Sequence, residues 1–502
     1  MPSSEILVEL ESNRPPARFR RPARYNARMN APRYLFWLAG KPGAGPERTV
    51  RSPFDDSEIG HVAQASPDDI HQALGAMVDA FPALRARGAW RRRAACERVH
   101  AGLLARREEF ARMIAREAGK PIRAARGEVD RALTTFRLAV EESVRIGGEQ
   151  LPVDVDERSQ GYHCTIERRP VGPCLFITPF NFPLNLVAHK VAPALACGCP
   201  FILKPSDRTP ITALLLGELL AAADLPPGSW HVLPTPVENV AAMAADPRLR
   251  LVSFTGSVPV GWKLQALAVG KSVLLELGAN SAVIVEPDAD IDDATSRIVT
   301  GAFSHAGQSC ISVQRIFLHR DIASAAGAAL IEKTRKLRCG DPLEETTDVG
   351  PMIDQAAAIR MEQWLDEACS GGARVLVGGP RSGSFYPPTI LTDVPETSRL
   401  LRQEAFGPVA VIGVYDDFEQ AMEWVNRSRL GIHAGVFTRD LFKARQAFDC
   451  LEVGGVIIND VPTLRLDAMP YGGVKESGLG REGVRFAITH MTELKSLVVR
   501  YS

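Results

Sequence analysis

The stretch PCLFITPFNFPLNLVAHKVAPALACGCPFILK, Pro173 to Lys204, decides the fold. Pro173 to Thr178 is a short apolar run of strand length, and it ends in a loop punctuated by Pro179 and Pro183. Leu184 to Cys197 then reads as a helix, and Pro200 to Leu203 as the next strand. Strand, helix and strand in that order form the unit of a mostly parallel sheet covered by helices. Outward from this unit the alternation continues. Ile211 to Leu225 reads as a helix and Leu251 to Phe254 as a strand, and a second strand–helix series runs from Ala282 to about Asp460. Upstream, Arg91 to Glu117 and Glu128 to Arg145 read as long amphipathic helices. Gln160 to Arg169 alternates as an edge strand does, and Lys495 to Tyr501 is β-rich; alone, both are exposed strands that want a partner. The fold class is α/β.

The 502 residues are enough for two or three domains and a large core. Hydrophobic residues make up 45% and charged residues 24%, as in ordinary globular proteins. Lys+Arg and Asp+Glu both number 59, so no global field favours nucleic acid or an anionic membrane. No apolar run reaches the ~18 residues of a membrane span. Nine cysteines without a CxxC pair point to a reducing compartment, the cytoplasm. No HExxH or other metal motif and no Walker A loop is present. Arg14, Arg18, Arg20, Arg21, Arg24 and Arg28 crowd the first residues, but Glu5, Glu9 and Glu11 argue against a transit peptide, and a flexible arm over residues 1–34 is expected.

Four short polar segments interrupt the apolar sequence. They are Pro179-Phe180-Asn181-Phe182-Pro183, Leu275-Glu276-Leu277-Gly278, Gly307-Gln308-Ser309-Cys310 and Gln403-Glu404-Ala405-Phe406-Gly407-Pro408. Together they offer an amide, a thiol and two carboxylates. Cys310 follows a small flexible turn that could lead into a helix starting near Ile311, where aligned amides would lower the thiol's pKa. Glu276 closes the apolar run Val273-Leu274-Leu275, and apolar walls would raise its pKa and suit it to act as a base. The plainer readings are a buried inert thiol, a surface glutamate, and an Asn181 that caps the following helix.

The order and content of these segments resemble the aldehyde dehydrogenase superfamily, whose members use NAD(P), from about Phe36 to the C-terminus. The resemblance implies a Rossmann-type cofactor domain (35–149 and 170–278), an α/β catalytic domain (279–460) and a small β oligomerisation element (150–169 and 484–502). It also implies a substrate-mouth loop (461–483) and self-association as a dimer or tetramer. Cys310 would be the nucleophile, forming a thiohemiacetal and then a thioester. Glu276 would activate water, and the Asn181 amide with the Cys310 N–H would form the oxyanion hole. Ala279 departs from the family's usual second glycine and removes no catalytic group. Thr255, Gly256 and Ser257 with Gly261 resemble the turn that receives the pyrophosphate at a helix N-terminus. Thr178, Pro179, Leu277 and Ser206 would join them, with Lys204 on the adenosine ribose, Glu404 on the nicotinamide ribose and Phe406 beside it. Asp207 should favour NAD over NADP, since an acid repels a 2′-phosphate; NADP stays possible because Asp is short and Arg208 adjoins it.

For the substrate, Arg131 and Arg465 match arginines of the branch that holds lactaldehyde, non-phosphorylating glyceraldehyde-3-phosphate and phosphonoacetaldehyde dehydrogenases. Guanidinium forks suit carboxylate or phosphate oxygens. Ser309 stands where phosphate binders of that branch often carry arginine. Phe182, Phe180 and Phe303 are candidate walls. The plainer reading of Arg131 is a helix-surface ion pair. A small, polar or anionic aldehyde is expected, with CoA acylation and a non-catalytic binding protein as the alternatives. Gly478-Leu479-Gly480-Arg481-Glu482-Gly483 matches GxGxxG but follows no expected strand, so it is set aside.

Overall fold

Two large sheets carry the molecule. The computed structural model describes residues 31–501, so the arginine-rich arm lies outside the described residues up to position 30. Its last part, Arg33–Tyr34, is already a strand, paired with Glu58–Ala63.

The first sheet has five parallel central strands, in the order Ser272–Glu276, Leu251–Thr255, Cys174–Ile177, Phe201–Lys204 and Trp230–Val232. Antiparallel strands close its edges, Gly478–Leu479 at one end and Phe36–Leu38 with Lys41–Gly43 at the other. Helices cover both faces, so Cys174–Ile177, Phe201–Lys204 and Leu251–Thr255 are buried at every position and are apolar except at Lys204, Ser253 and Thr255.

The second sheet runs Arg374–Val377, Thr389–Thr392, Val409–Tyr415, Val313–His319, Ser281–Val285, His433–Phe437 and Gly455–Ile458. Only its first pair is antiparallel. In a third, antiparallel sheet Tyr162–Pro170 pairs on one side with Thr492–Arg500 and on the other with Gly148–Leu151. The two segments expected to want a partner thus find one in each other. Leu494, Leu497 and Val498 of the last strand remain exposed.

Several boundaries differ from expectation. Arg91 to Glu117 is two helices, Ala89–Ala105 and Arg107–Ala118, broken at Arg106. Val99, Leu103, Phe110 and Ile114 enter one core, so the apolar spacing carries no sign of the break. The next helix runs Ile122–Glu142, directly after Pro121. Ile211–Ala221 stops short of Leu225 because Asp224 takes a left-handed φ of 54° and Pro226 follows.

Candidate active site

The parallel strands of the first sheet end at the site. Cys174–Ile177 runs into the loop that holds Asn181, Leu251–Thr255 into Gly256 and Ser257, and Ser272–Glu276 ends on Glu276 itself. A crevice outside the carboxyl ends of parallel strands is where open α/β sheets bind ligands.

Asn181 does not cap the following helix, Asn185–Cys197. The carboxylate of Glu128 does, accepting the N–H groups of Leu184 and Asn185 at 2.9 and 3.1 Å. The buried Asn181 amide is left free to turn toward the nucleophile's loop, where its Nδ2 donates to the Gln308 carbonyl at 3.0 Å.

Glu276 is 3% exposed, and neither carboxylate oxygen has a hydrogen-bond partner among the described residues. Burial pushes its carboxyl well above the usual glutamate range, and the nearby Glu482 pushes it further, while Arg465, Lys190 and Arg481 oppose. Ala279 costs nothing here: it is buried, and its N–H donates to Glu404 Oε1 at 3.2 Å.

The helix expected at Ile311 does not form. Cys310 lies in a turn that enters the strand Val313–His319, because Val313, Ile316, Phe317 and Leu318 favour a buried strand and the second sheet claims it. The thiol therefore has no helix N-terminus behind it, and the expected lowering is reversed. Burial pushes it up to about 12, opposed by a hydrogen bond with the Tyr471 hydroxyl at 2.9 Å. The backbone before it is left-handed at His305, Ala306 and Gly307. At Gly307 a Cβ would lie 2.0 Å from the Gly407 carbonyl, so this turn and the Phe406-Gly407-Pro408 loop pack backbone against backbone.

The motif after the cysteine fixes the neighbouring loops. Gln314 donates to the carbonyls of Leu400 and Gln403 and accepts the Ala405 N–H at 2.9 Å, which clamps the loop carrying Glu404. Arg315 donates to the Asn280 carbonyl at 2.8 Å, tying the Glu276 loop to the same sheet. Burial raises the Glu404 carboxyl to about 7.

Cys310, Glu276 and Asn181 line one cavity of about 810 Å³. Pro179, Thr255, Gly256, Ser257 and Leu277 line it too, as do Glu404 and Phe406. Thr178 is buried at the strand end, and Gly261 packs beneath the wall, where a Cβ would sit 2.3 Å from Leu277. Lys204, Ser206 and Asp207 stand outside this wall at the end of the neighbouring strand. Asp207 is held by Lys204 at 2.5 Å and Arg48 at 3.2 Å, while Arg208 turns away to Asp354. The acid expected to repel a 2′-phosphate thus sits between two cations.

These residues fit a dinucleotide. The helix Val258–Leu267 starts from Ser257 with no side-chain cap, so the amides of Val258 and Val260, on either side of Pro259, are open to a phosphate. The Thr255 hydroxyl is buried without a partner among the described residues. At Gly278 a Cβ would lie 2.3 Å from Glu404 Oε2, so only glycine lets that carboxylate reach its place.

Arg131, Phe182, Ser309 and Arg465 also line the cavity, as does Phe180, whereas Phe303 is core. Arg131 does pair with Asp467, at 2.9 Å, and still faces the cavity. Arg465 donates to Glu482 at 3.1 Å and lies 3.8 Å over the Tyr471 ring; its Nε has no partner among the described residues.

Sequence reasoning missed Tyr471, Lys190 and Glu482. Gly478–Leu479, inside the GxGxxG match, pairs antiparallel with Leu275 and Glu276, and Glu482 of the same match holds both Arg465 and Lys190. The available signal was Lys190, which with His189 interrupts the apolar run of the helix Asn185–Cys197.

Among the described residues no helix is long and apolar enough to cross a membrane, and no three side chains are grouped to hold a metal. Residues 41–497 match the model of the aldehyde dehydrogenase family. The chain is 43% identical over 451 residues to a 3-sulfolactaldehyde dehydrogenase of Priestia megaterium, covering 90% of this chain and 94% of that one. The crystal structure of aldehyde dehydrogenase 21 from Physcomitrella patens, in complex with the reaction product succinate, superposes with a TM-score of 0.92 at 44% identity. That match covers 94% of this chain and 99% of the other. Glyceraldehyde-3-phosphate dehydrogenase GapN from Methanocaldococcus jannaschii, complexed with NADP, gives 0.87 at 34% identity over 91% of this chain and all of that one (100%).

Proposed function

The chain belongs to the aldehyde dehydrogenase family, and from that premise we propose that it oxidises a small anionic aldehyde to the acid with NAD or NADP. Cys310 attacks the carbonyl carbon, and the Asn181 amide with the Cys310 N–H holds the oxyanion. The nicotinamide, when bound, supplies the acceptor for the hydride that turns the thiohemiacetal into a thioester. Glu276 then takes a proton from water, which adds to the thioester and releases the acid and the thiolate. Its two unpartnered oxygens support hydrolysis over transfer to CoA. Glu404 and Phe406 hold the nicotinamide end, and Lys204, Ser206 and Asp207 the adenosine end. With Lys204 and Arg48 flanking Asp207, a 2′-phosphate meets cations as well as an acid, which supports use of either cofactor. We assign the three-stranded sheet, with Leu494, Leu497 and Val498 exposed, to self-association, and place the enzyme in the cytoplasm.

One observation carries the substrate class. Lys190 and Arg465, both buried, share a single carboxylate, Glu482, and Glu276 pairs with neither, its two oxygens having no partner among the described residues. A positive charge is left over at the cavity wall, and one anionic group on the substrate would balance it. The relatives named for 3-sulfolactaldehyde and glyceraldehyde-3-phosphate, and the structure that holds succinate, involve compounds with such an anionic group, whereas the lactaldehyde named for others is neutral. The test compares kcat/KM, followed by nicotinamide reduction, for succinate semialdehyde and 3-sulfolactaldehyde against butanal and benzaldehyde, each with NAD and with NADP. The anionic members should win by roughly 10- to 100-fold, the worth of one hydrogen bond to a charged group. Equal values for butanal and succinate semialdehyde would overturn the assignment.

A further inference from the structure

We propose that Tyr471 is a further catalytic residue, whose hydroxyl donates a hydrogen bond to the Cys310 thiolate and so brings the nucleophile into its reactive form. The inference rests on the reading of Cys310 as nucleophile.

The Tyr471 ring is 2% exposed, packed with Ala279, Ile311, Leu430 and Ile432. A phenol buried among apolar side chains needs a partner. Among the described residues its hydroxyl has one, the Cys310 sulfur at 2.9 Å. A neutral thiol is a weak acceptor and a weak donor, whereas a thiolate accepts strongly, so the contact gains most of its strength when the sulfur loses its proton. Burial keeps the phenol protonated, pushed well above its usual value, and thus a donor. The guanidinium of Arg465, 3.8 Å over the ring and anchored by Glu482, draws electron density from the phenol and strengthens it as a donor. The His433 and Tyr471 rings meet edge to face with centroids 5.2 Å apart, which helps fix the direction of the phenol. In the step itself the S–H bond breaks, its proton passes to water, and the Tyr471 O–H stays intact while its hydrogen turns to the sulfur. Without this bond, burial and the nearby carboxyl groups of Glu404 and Glu276 disfavour the thiolate, and Arg465 is left to oppose them.

The test is Tyr471→Phe, which keeps the ring under Arg465, measured by the pH dependence of Cys310 alkylation with iodoacetamide. No aldehyde is involved, so the result is independent of the substrate class; Cys310→Ala, lacking the labelled site and the activity, checks the nucleophile separately. The midpoint should rise by about 1–2 pH units and labelling at neutral pH should slow roughly 10- to 100-fold, the range for a hydrogen bond to a charged group. The burst of reduced nicotinamide should slow by the same factor and recover as pH rises, which a merely structural defect would not do. Superimposable labelling curves overturn the proposal. If the variant does not fold, a ring-fluorinated tyrosine at position 471, a stronger donor, should lower the midpoint; an unchanged midpoint is then the refuting result.

Discussion

Replacing Gly278 with alanine puts a methyl group where the Glu404 carboxylate lies. The new Cβ would stand 2.3 Å from Oε2, 2.7 Å from the carboxylate carbon and 3.0 Å from Oε1, against an ordinary contact of 3.4 Å or more. The carboxylate must therefore retreat by about 1 Å. It is the free end of a flexible side chain, held by one N–H, that of Ala279 at 3.2 Å. The fold should hardly notice, and a change within about 0.5 kcal/mol is expected in urea unfolding. The reaction should notice, because misplacing a positioning group by about 1 Å costs on the order of 10²-fold. Kinetics on the best substrate, with Gly278→Ala, Glu404→Ala and the double variant, form a cycle that isolates the coupling. If the collision is the cause, alanine at 278 adds nothing once Glu404 is gone. A full additional loss in the Glu404→Ala background would refute the reasoning, since the methyl would then be acting through something else.

Cys310→Ala should abolish oxidation and leave cofactor binding, measured by calorimetry, unchanged. Glu276→Gln should give a burst of reduced nicotinamide followed by little turnover, with the acyl-enzyme visible by mass spectrometry; near-wild-type turnover would exclude Glu276 as the base. In the wild type, the raised pKa of Glu276 means that its carboxylate appears only as pH climbs above the ordinary value of 4.5, so hydrolysis of the acyl-enzyme should rise with pH. A rapid-quench profile already flat at pH 4.5 contradicts this. Asn181→Ala should cost roughly 10²- to 10³-fold in kcat, the value of one oxyanion donor. Lys190→Met leaves Glu482 and Ser253 each short of a buried donor and should destabilise by about 3–5 kcal/mol in urea unfolding.

Much of the site was legible because its chemistry is local in sequence. Asn181, Glu276 and Cys310 each sit in a short polar interruption of an apolar run, and the ends of parallel strands collect such interruptions at one edge. The environment of the thiol was not legible. Val313 to Leu318 could close either a helix or a strand by its apolar content, and only the partners on both sides, Val409–Tyr415 and Ser281–Val285, decide for the strand. With the helix goes the lowered pKa. Tyr471, Lys190 and Glu482 were hidden for a related reason. Each pairs with a residue far away in the chain, and pairing at a separation of 161 or 292 positions leaves no periodic mark. The GxGxxG match, set aside as a phosphate loop, contributes an edge strand beside Glu276 and contains the acid that anchors Arg465.

The nucleophile leads into the second sheet, while the base ends a strand of the first. Neither half of the chain owns a complete reaction centre. Catalysis is therefore a report on how the two halves are docked, and it should vanish under mild denaturant while circular dichroism is still that of the folded chain. The same seam lets the halves diverge separately. Changes along the first sheet can alter which nucleotide is accepted while the cysteine turn stays untouched, so long as the joint between the sheets keeps its register.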